Sequence, residues 1–347
     1  MDTVLLRADG GQDIGMGHLM RCIALAEGCL QRTVTPVLIT RHTDALQDVH
    51  YPEGMNIVPL PTSTSDDEDV SFIFDTYERH GPGPVVTDLC HEEYETHPDR
   101  YRDYLRHLAE RVEPLVVIDD LLSIDFPSDV VINPGYGAEK WDYPEGNGTN
   151  HLLGSDYVIF RSEFIEQRKH IDPELPANVQ EVVVTLGGSN QNTTMQTVCR
   201  TIDRLDAPET VHAISGVDGD SSWQASLQKG SQKTWRFSRV CNRMAEVLAG
   251  ADFAITGGGL TKYETALLGV PSLVLSQVDH QDELMQEFQG AGTCTYAGRA
   301  GNVDQQELAK MLHTLSAAPD RLANMSRNGR NLVDEKGRER ILDHLLS

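Results

Sequence analysis

The chain has 347 residues and a formal net charge of −24 at pH 7, with a pI near 4.8. That balance excludes a nucleic-acid surface, which needs a basic patch. Apolar residues make up 39% and charged residues 24%, a folded and not a disordered composition, and the length exceeds what one hydrophobic core usually serves, so two domains are expected.

Other classes fall away next. No stretch is long and apolar enough to span a bilayer. Asp2 and Asp9 bracket the first apolar run, unlike the basic start of a signal peptide, so a cytoplasmic location is expected. Cys22, Cys29, Cys90, Cys199, Cys241 and Cys294 are scattered, without a CxxC or a metal-ligand spacing, so free thiols and no bound metal are expected. Seven lysines stand against 22 arginines. If the ligand is a phosphate, backbone dipoles and a few arginines must hold it against a repulsive overall field.

The first predicted strand is Val4–Leu6. After it comes a glycine turn, Ile14-Gly15-Met16-Gly17-His18, and then a helical pattern to about Leu30. Leu19, Ile23, Ala26 and Leu30 form its buried stripe. His18 and Arg21 are three apart and share a neighbouring face, so both are expected to point into a ligand cleft. A strand, a glycine turn and a helix bring an anion to a helix N-terminus, and the added histidine points to chemistry there. Further strands are predicted at Pro36–Thr40, Ile57–Leu60, Pro84–Asp88, Leu115–Asp119 and Val130–Asn133. Their continuous apolar character fits a parallel sheet buried on both faces.

The run 164–180 is charged, contains Pro173 and Pro176, and reads as a linker between residues 1–163 and 181–318. A second series of strands follows at Glu181–Leu186, Glu209–Ile214, Thr234–Phe237, Phe253–Thr256 and Ser272–Leu275, with a helical tail over 319–347. The expectation is an α/β protein of two doubly wound, Rossmann-like domains, with ligand at the carboxyl ends of the sheets. Two more glycine turns follow strands of this half. Leu186-Gly187-Gly188-Ser189 is a weak signal, equally a structural turn. Gly257-Gly258-Gly259-Leu260-Thr261 leaves bare backbone N–H groups suited to a diphosphate. Glu264, in the first turns of the next helix, is placed to accept hydrogen bonds from ribose hydroxyls. The third turn lacks the ending of a Walker A loop, and the first lacks the third glycine of a dinucleotide fingerprint, which disfavours a nicotinamide dehydrogenase.

Together these motifs resemble the sugar-nucleotide hydrolases of pseudaminic acid biosynthesis. The resemblance runs from about Val4 to Ala297. It rests on Ile14-Gly15-x-Gly17-His18-x-x-Arg21, Ile118-Asp119-Asp120, Ile132-Asn133-Pro134, Leu153-Gly154-Ser155-Asp156-Tyr157, Arg161-Ser162-Glu163-Phe164, Leu186-Gly187-Gly188-Ser189, Gly257-Gly258-Gly259 with Glu264, and Gly269-Val270-Pro271. The chain is similar also to a related group named for spore-coat polysaccharide synthesis, often described as glycosyltransferases. The resemblance implies a two-domain, MurG-like glycosyltransferase-B fold and no cofactor. It also implies hydrolysis of UDP-2,4-diacetamido-2,4,6-trideoxy-β-L-altropyranose to the free sugar and UDP, with His18 as the catalytic residue. Two positions depart from the family pattern. An Asp-x-Tyr appears here as Asp88-Leu89-Cys90, and an Asn-Gln pair as His280-Gln281. Both face the sugar in the family, so the sugar is left open.

The site expected on these grounds has two halves. Gly187, Gly188, Ser189, Gly257, Gly258, Gly259, Thr261 and Glu264 hold UDP. Gly15, Gly17, Arg21, Asp88, His280 and Gln281 lie toward the sugar. Asp9 or Asp13 orients His18, binds sugar hydroxyls, or serves only the turn. Arg21 screens the diphosphate or braces the loop. His18 deprotonates a water that attacks the anomeric carbon with inversion. The alternatives are a glycosyltransferase with the same donor, a sugar-nucleotide epimerase, and a non-catalytic UDP-sugar-binding protein.

Overall fold

The computed structural model describes residues 2–11, 14–47, 49–89, 94, 96–121, 124–144, 148–171, 178–187, 192–216, 222–239, 241–277 and 281–347. The chain divides into two compact units, Met1–Ser162 with Lys336–Ser347, and Glu163–Glu335. No described helix is long and apolar enough to cross a membrane.

The first unit is built on strands β1 (Thr3–Ala8), β2 (Thr35–Thr40), β3 (Asn56–Pro59), β4 (Val85–Asp88), β5 (Leu115–Ile118), β6 (Val130–Asn133) and β7 (Asn150–Leu153). All pairs are parallel, in the order β3-β2-β1-β4-β5-β6-β7. Helices α1 (Gly17–Gln31), α2 (Asp66–His80) and α3 (Pro98–Ala109) cover the sheet. The strands are apolar throughout because successive side chains go to opposite faces and both faces are covered. Val4, Leu6 and Ala8 of β1 join α1 residues Leu19 and Ile23 in one core. Leu5 joins Val70 and Ile73 of α2 and Leu105 of α3 in the other. The order of strands reverses between β1 and β4, and in open α/β sheets ligands bind outside the carboxyl ends of the strands at such a switch point.

The second unit repeats the plan with β8 (Glu181–Thr185), β9 (Thr210–Ile214), β10 (Thr234–Ser238), β11 (Phe253–Gly257), β12 (Ser272–Ser276) and β13 (Cys294–Arg299). They form a parallel sheet in the order β10-β9-β8-β11-β12-β13. Its switch point lies between β8 and β11. The helices are α4 (Ser162–Arg168), α5 (Asn192–Asp203), α6 (Ser222–Gly230), α7 (Met244–Ala249), α8 (Thr261–Leu268), α9 (Gln281–Gly290), α10 (Gln305–Ser316) and α11 (Pro319–Leu332).

Two boundaries differ from the sequence reading. The start of the expected linker is the helix α4, with Phe164 fully buried. Its Arg168 donates to the backbone oxygens of Leu267, Arg330 and Val333. An arginine that bridges three carbonyls ties this segment into the second unit; Pro173 and Pro176 lie outside the described residues. The expected single tail is two helices. α11 belongs to the second unit, where Gly329 lets it approach the backbone of Ala266. The last helix, α12 (Gly337–Leu345), belongs to the first. Its Ile341, Leu342 and Leu345 complete the core under α1, and Arg338 donates to Glu27 and to the Ala24 carbonyl.

A Cβ at Gly337 would clash with the Val158 carbonyl oxygen. Gly337→Ala is therefore expected to destabilise the protein by about 1–3 kcal/mol, the usual range for overpacking. Urea unfolding checks this; an unchanged midpoint would mean that the α12 start is not seated against Val158.

Candidate functional site

In the first unit the turn after β1 is folded on itself. Gly11 and Gly15 exchange backbone hydrogen bonds of 3.0 and 2.7 Å. Gly15 has φ +84°, a conformation that only glycine adopts without strain. A Cβ at Gly10 would lie 2.6 Å from Leu19 Cδ1, so the turn lies directly on α1. Gly17 opens that helix, and His18 follows as its second residue. Asp13 lies outside the described residues.

His18 Nδ1 stands 2.7 Å from Asp88 Oδ1 at the end of β4. Arg21 Nε donates to Asp88 Oδ2 at 2.8 Å and Nη2 to Asp88 Oδ1 at 2.8 Å. Asp88 is completely buried and Arg21 only 3% exposed. Burial pushes the Asp88 carboxyl up, but the Arg21 guanidinium and His18 outweigh it and hold it below the ordinary carboxylate value. It is thus an acceptor only, and Nδ1 must carry the hydrogen; an unprotonated Nδ1 would set two lone pairs against each other at 2.7 Å. The 3.1 Å approach of Arg21 Nη2 to Nδ1 follows, since both donate to the same oxygen. Nε2 is then the basic ring nitrogen, on a side chain that is 12% exposed.

Asp88 was expected toward the sugar, and Arg21 either at the diphosphate or as a brace of the loop. Both are buried, and the Arg21 guanidinium is engaged by Asp88 on one edge and by Asp120 on the other, with Nη1–Oδ1 and Nη2–Oδ2 both 2.7 Å. Both lie against His18 Nδ1, Asp88 at 2.7 Å and Arg21 at 3.1 Å. Asp120, two residues after β5, appeared in the sequence as the last residue of the Ile118-Asp119-Asp120 motif, with no role of its own; no local signal joins it to a residue 99 positions earlier. Cys90 lies outside the described residues.

Asp9 does not orient His18 either. It is 1% exposed and accepts from Arg7 Nη2 at 2.8 Å, the Arg41 backbone N–H at 2.8 Å and Thr40 Oγ1 at 3.3 Å. Arg7 and Arg41 in turn grip Asp69 of α2, to which Tyr104 of α3 also donates. Asp9 thus locks the ends of β1 and β2 together. Burial raises its carboxyl, and Arg7 with the Arg41 backbone outweigh that and hold it far below the usual range.

In the second unit the glycines have more specific duties than leaving backbone bare. A Cβ at Gly257 would meet Gln277 Nε2 at 2.6 Å and the Leu186 carbonyl at 2.7 Å. At Gly258 it would meet Gln281 Oε1 at 2.8 Å, and at Gly187, with φ +97°, Gln277 Nε2 at 3.1 Å. Two glutamine side chains therefore fill the space at three of the four described glycines. Gly259 alone among these four has nothing within 4 Å. Gln281, expected toward the sugar, accepts the Gln277 backbone N–H at 2.9 Å and so braces the turn after β12. Lys262 is buried and donates to the Gly258 carbonyl at 2.6 Å, fixing the third turn from below. Thr261 opens α8, and Glu264 sits half-buried in its first turn. Gly188, Ser189 and His280 lie outside the described residues. Sequence reasoning gave no role to Gln277 or Lys262: Lys262 stands three residues after Gly259 and Gln277 eighteen, and neither spacing marks a contact with the glycines.

No family model matches the chain. It is 28% identical over 342 residues to the spore coat polysaccharide biosynthesis protein SpsG of Bacillus subtilis (strain 168), across 96% of this chain and 95% of that one. In structure it is similar to MurG of Acinetobacter baumannii, with a TM-score of 0.67 at 14% identity, across 100% of this chain and 99% of that one. It is similar also to the UDP-GlcNAc 2-epimerase of Neisseria meningitidis bound to UDP-GlcNAc, with a TM-score of 0.63 at 12% identity, across 99% of each chain. The fold is thus a pair of parallel-sheet, Rossmann-like domains of the MurG-like glycosyltransferase-B kind, as the sequence predicted.

The Asp9 carboxyl generates a pH prediction. Its folded value is depressed, so its contribution to stability is present above the unfolded carboxylate value and is lost as pH falls toward the folded value. Asp9→Asn is expected to be less stable than the native protein at neutral pH, with the gap closing below about pH 4. Urea midpoints across this range check it; a gap constant down to about pH 3 would show that Asp9 adds no charge-dependent stability.

Proposed function

We propose that the chain is a UDP-sugar enzyme of polysaccharide biosynthesis, in which His18 removes the proton of a hydroxyl nucleophile. The observation that carries this reading is the 2.7 Å bond from His18 Nδ1 to the buried Asp88, which leaves Nε2 as an oriented base. As the nucleophile's oxygen bonds to the anomeric carbon, the bond from that carbon to the diphosphate breaks. The electron pair leaves with UDP, the proton passes to Nε2, and attack opposite the leaving group inverts the centre. UDP is assigned to the second unit, with its diphosphate against the open Gly259 and the start of α8, and Glu264 toward the ribose. The likeness to SpsG along nearly its whole length supports transfer to a sugar acceptor as the first reading.

In the second reading the nucleophile is water and the substrate a UDP-linked diacetamido-trideoxy sugar. The specific observation that favours it is the ordered set of motifs from Ile14-Gly15-Met16-Gly17-His18 to Gly269-Val270-Pro271. Incubation with a panel of UDP-sugars separates the two. Release of UDP in buffer alone marks hydrolysis; release only with an added acceptor marks transfer.

Both readings expect His18→Asn to lower kcat by about a hundred- to ten-thousand-fold, the usual worth of a positioned base, with KM little changed. Full activity in His18→Asn would remove His18 from the chemistry. Tight UDP binding with no turnover of any UDP-sugar would instead favour a non-catalytic binding protein.

A further inference from the structure

The cluster around His18 has an uneven charge. Among the described residues, the charged groups bonded together here are Asp88 from β4, Arg21 from α1 and Asp120 just after β5. The Cys22 thiol on α1 is also close, but burial pushes it up and keeps it uncharged. Within this bonded set, two carboxylates and one guanidinium sum to one negative charge while His18 is neutral, and to zero when His18 is an imidazolium.

Arg21 alone would neutralise Asp88. The second carboxylate makes the difference. The Nε–Nη2 edge of the guanidinium faces Asp88 and the Nη1–Nη2 edge faces Asp120, each in a two-bond pair. Nη2 gives one hydrogen to each carboxylate. Such forked pairs fix orientation as well as charge. Arg21 is held from both sides, and Asp88 is held by Arg21 where His18 meets it. Asp120 is the outer member, with its side chain 36% exposed.

We propose that Asp120 is a positioning residue for the base: it holds Arg21 against Asp88 and supplies the negative charge that balances His18 when His18 takes up the nucleophile's proton. The proposal rests on the reading of His18 as the base, but its electrostatic core is testable without turnover. Without Asp120 the guanidinium charge bears on Asp88 alone, and the imidazolium loses its compensating partner.

The test is an NMR titration of the full-length protein labelled in histidine. The chain has 13 histidines, so the His18 signal is identified by its loss in His18→Asn. In Asp120→Asn the protonation midpoint of His18 is expected at lower pH by about one unit, the usual effect of losing a nearby opposite charge. Asp120→Ser, small enough to admit water, is the second uncharged variant should the first not fold. Asp120→Glu keeps the charge and is expected to restore the midpoint. In turnover, Asp120→Asn is expected to lower kcat more than it changes KM and to move the acidic limb of the pH profile by the same amount. Equal midpoints in the native protein and the uncharged variants overturn the proposal, whatever the activity. A lowered midpoint together with full activity of His18→Asn supports the charge balance and overturns only the base.

Discussion

The carboxylate of Asp88 is the fixed point of the candidate site. It is fully buried, and burial by itself works against its charge. It stays charged because Arg21 donates to both its oxygens. Everything chemical in the first unit depends on that: a neutral Asp88 would not demand a hydrogen on His18 Nδ1, and the ring would have no preferred face. Buried pairs of this kind are poor sources of stability but strong sources of orientation.

The same topology places the candidate residues of each unit. In the first, β1 and β4 are neighbours although two strands intervene in sequence, and the turn after β1 carries His18 while β4 ends on Asp88. In the second, β8 and β11 are neighbours in the same way, with Gly187 after one and Gly257 ending the other. A switch point splits the chain's departure from the sheet and opens a crevice. The long gaps between partners, 70 residues for His18 and Asp88, are a consequence of that order.

This explains what was legible in the sequence. The central strands were, because both their faces are buried and their apolar character is continuous. The edge strands β7 and β13 were not: Asn150–Leu153 and Cys294–Arg299 carry polar residues that lower the signal, whereas the edge strand β3, no less exposed, keeps Ile57 and Val58 side by side. His18 was legible because glycines flank it. Its partner was not, since Asp9 and Asp13 were nearer in sequence and the pairing with Asp88 is made only by the sheet order. The glycines at 187, 257 and 258 were read as room for a ligand. The structure fills that room with Gln277 and Gln281, and no property of a glycine distinguishes the two uses.

The return of the last helix to the first unit has a consequence for the order of folding. Chains are synthesised from the N-terminus, and domains usually fold as they emerge. Here the part of α1 that does not pack on the sheet stays uncovered until Ile341, Leu342 and Leu345 arrive. The first unit to leave the ribosome is therefore the last to be completed. The second unit, whose boundaries are Glu163 and Glu335, has its whole sequence available while the first still lacks a layer of its core.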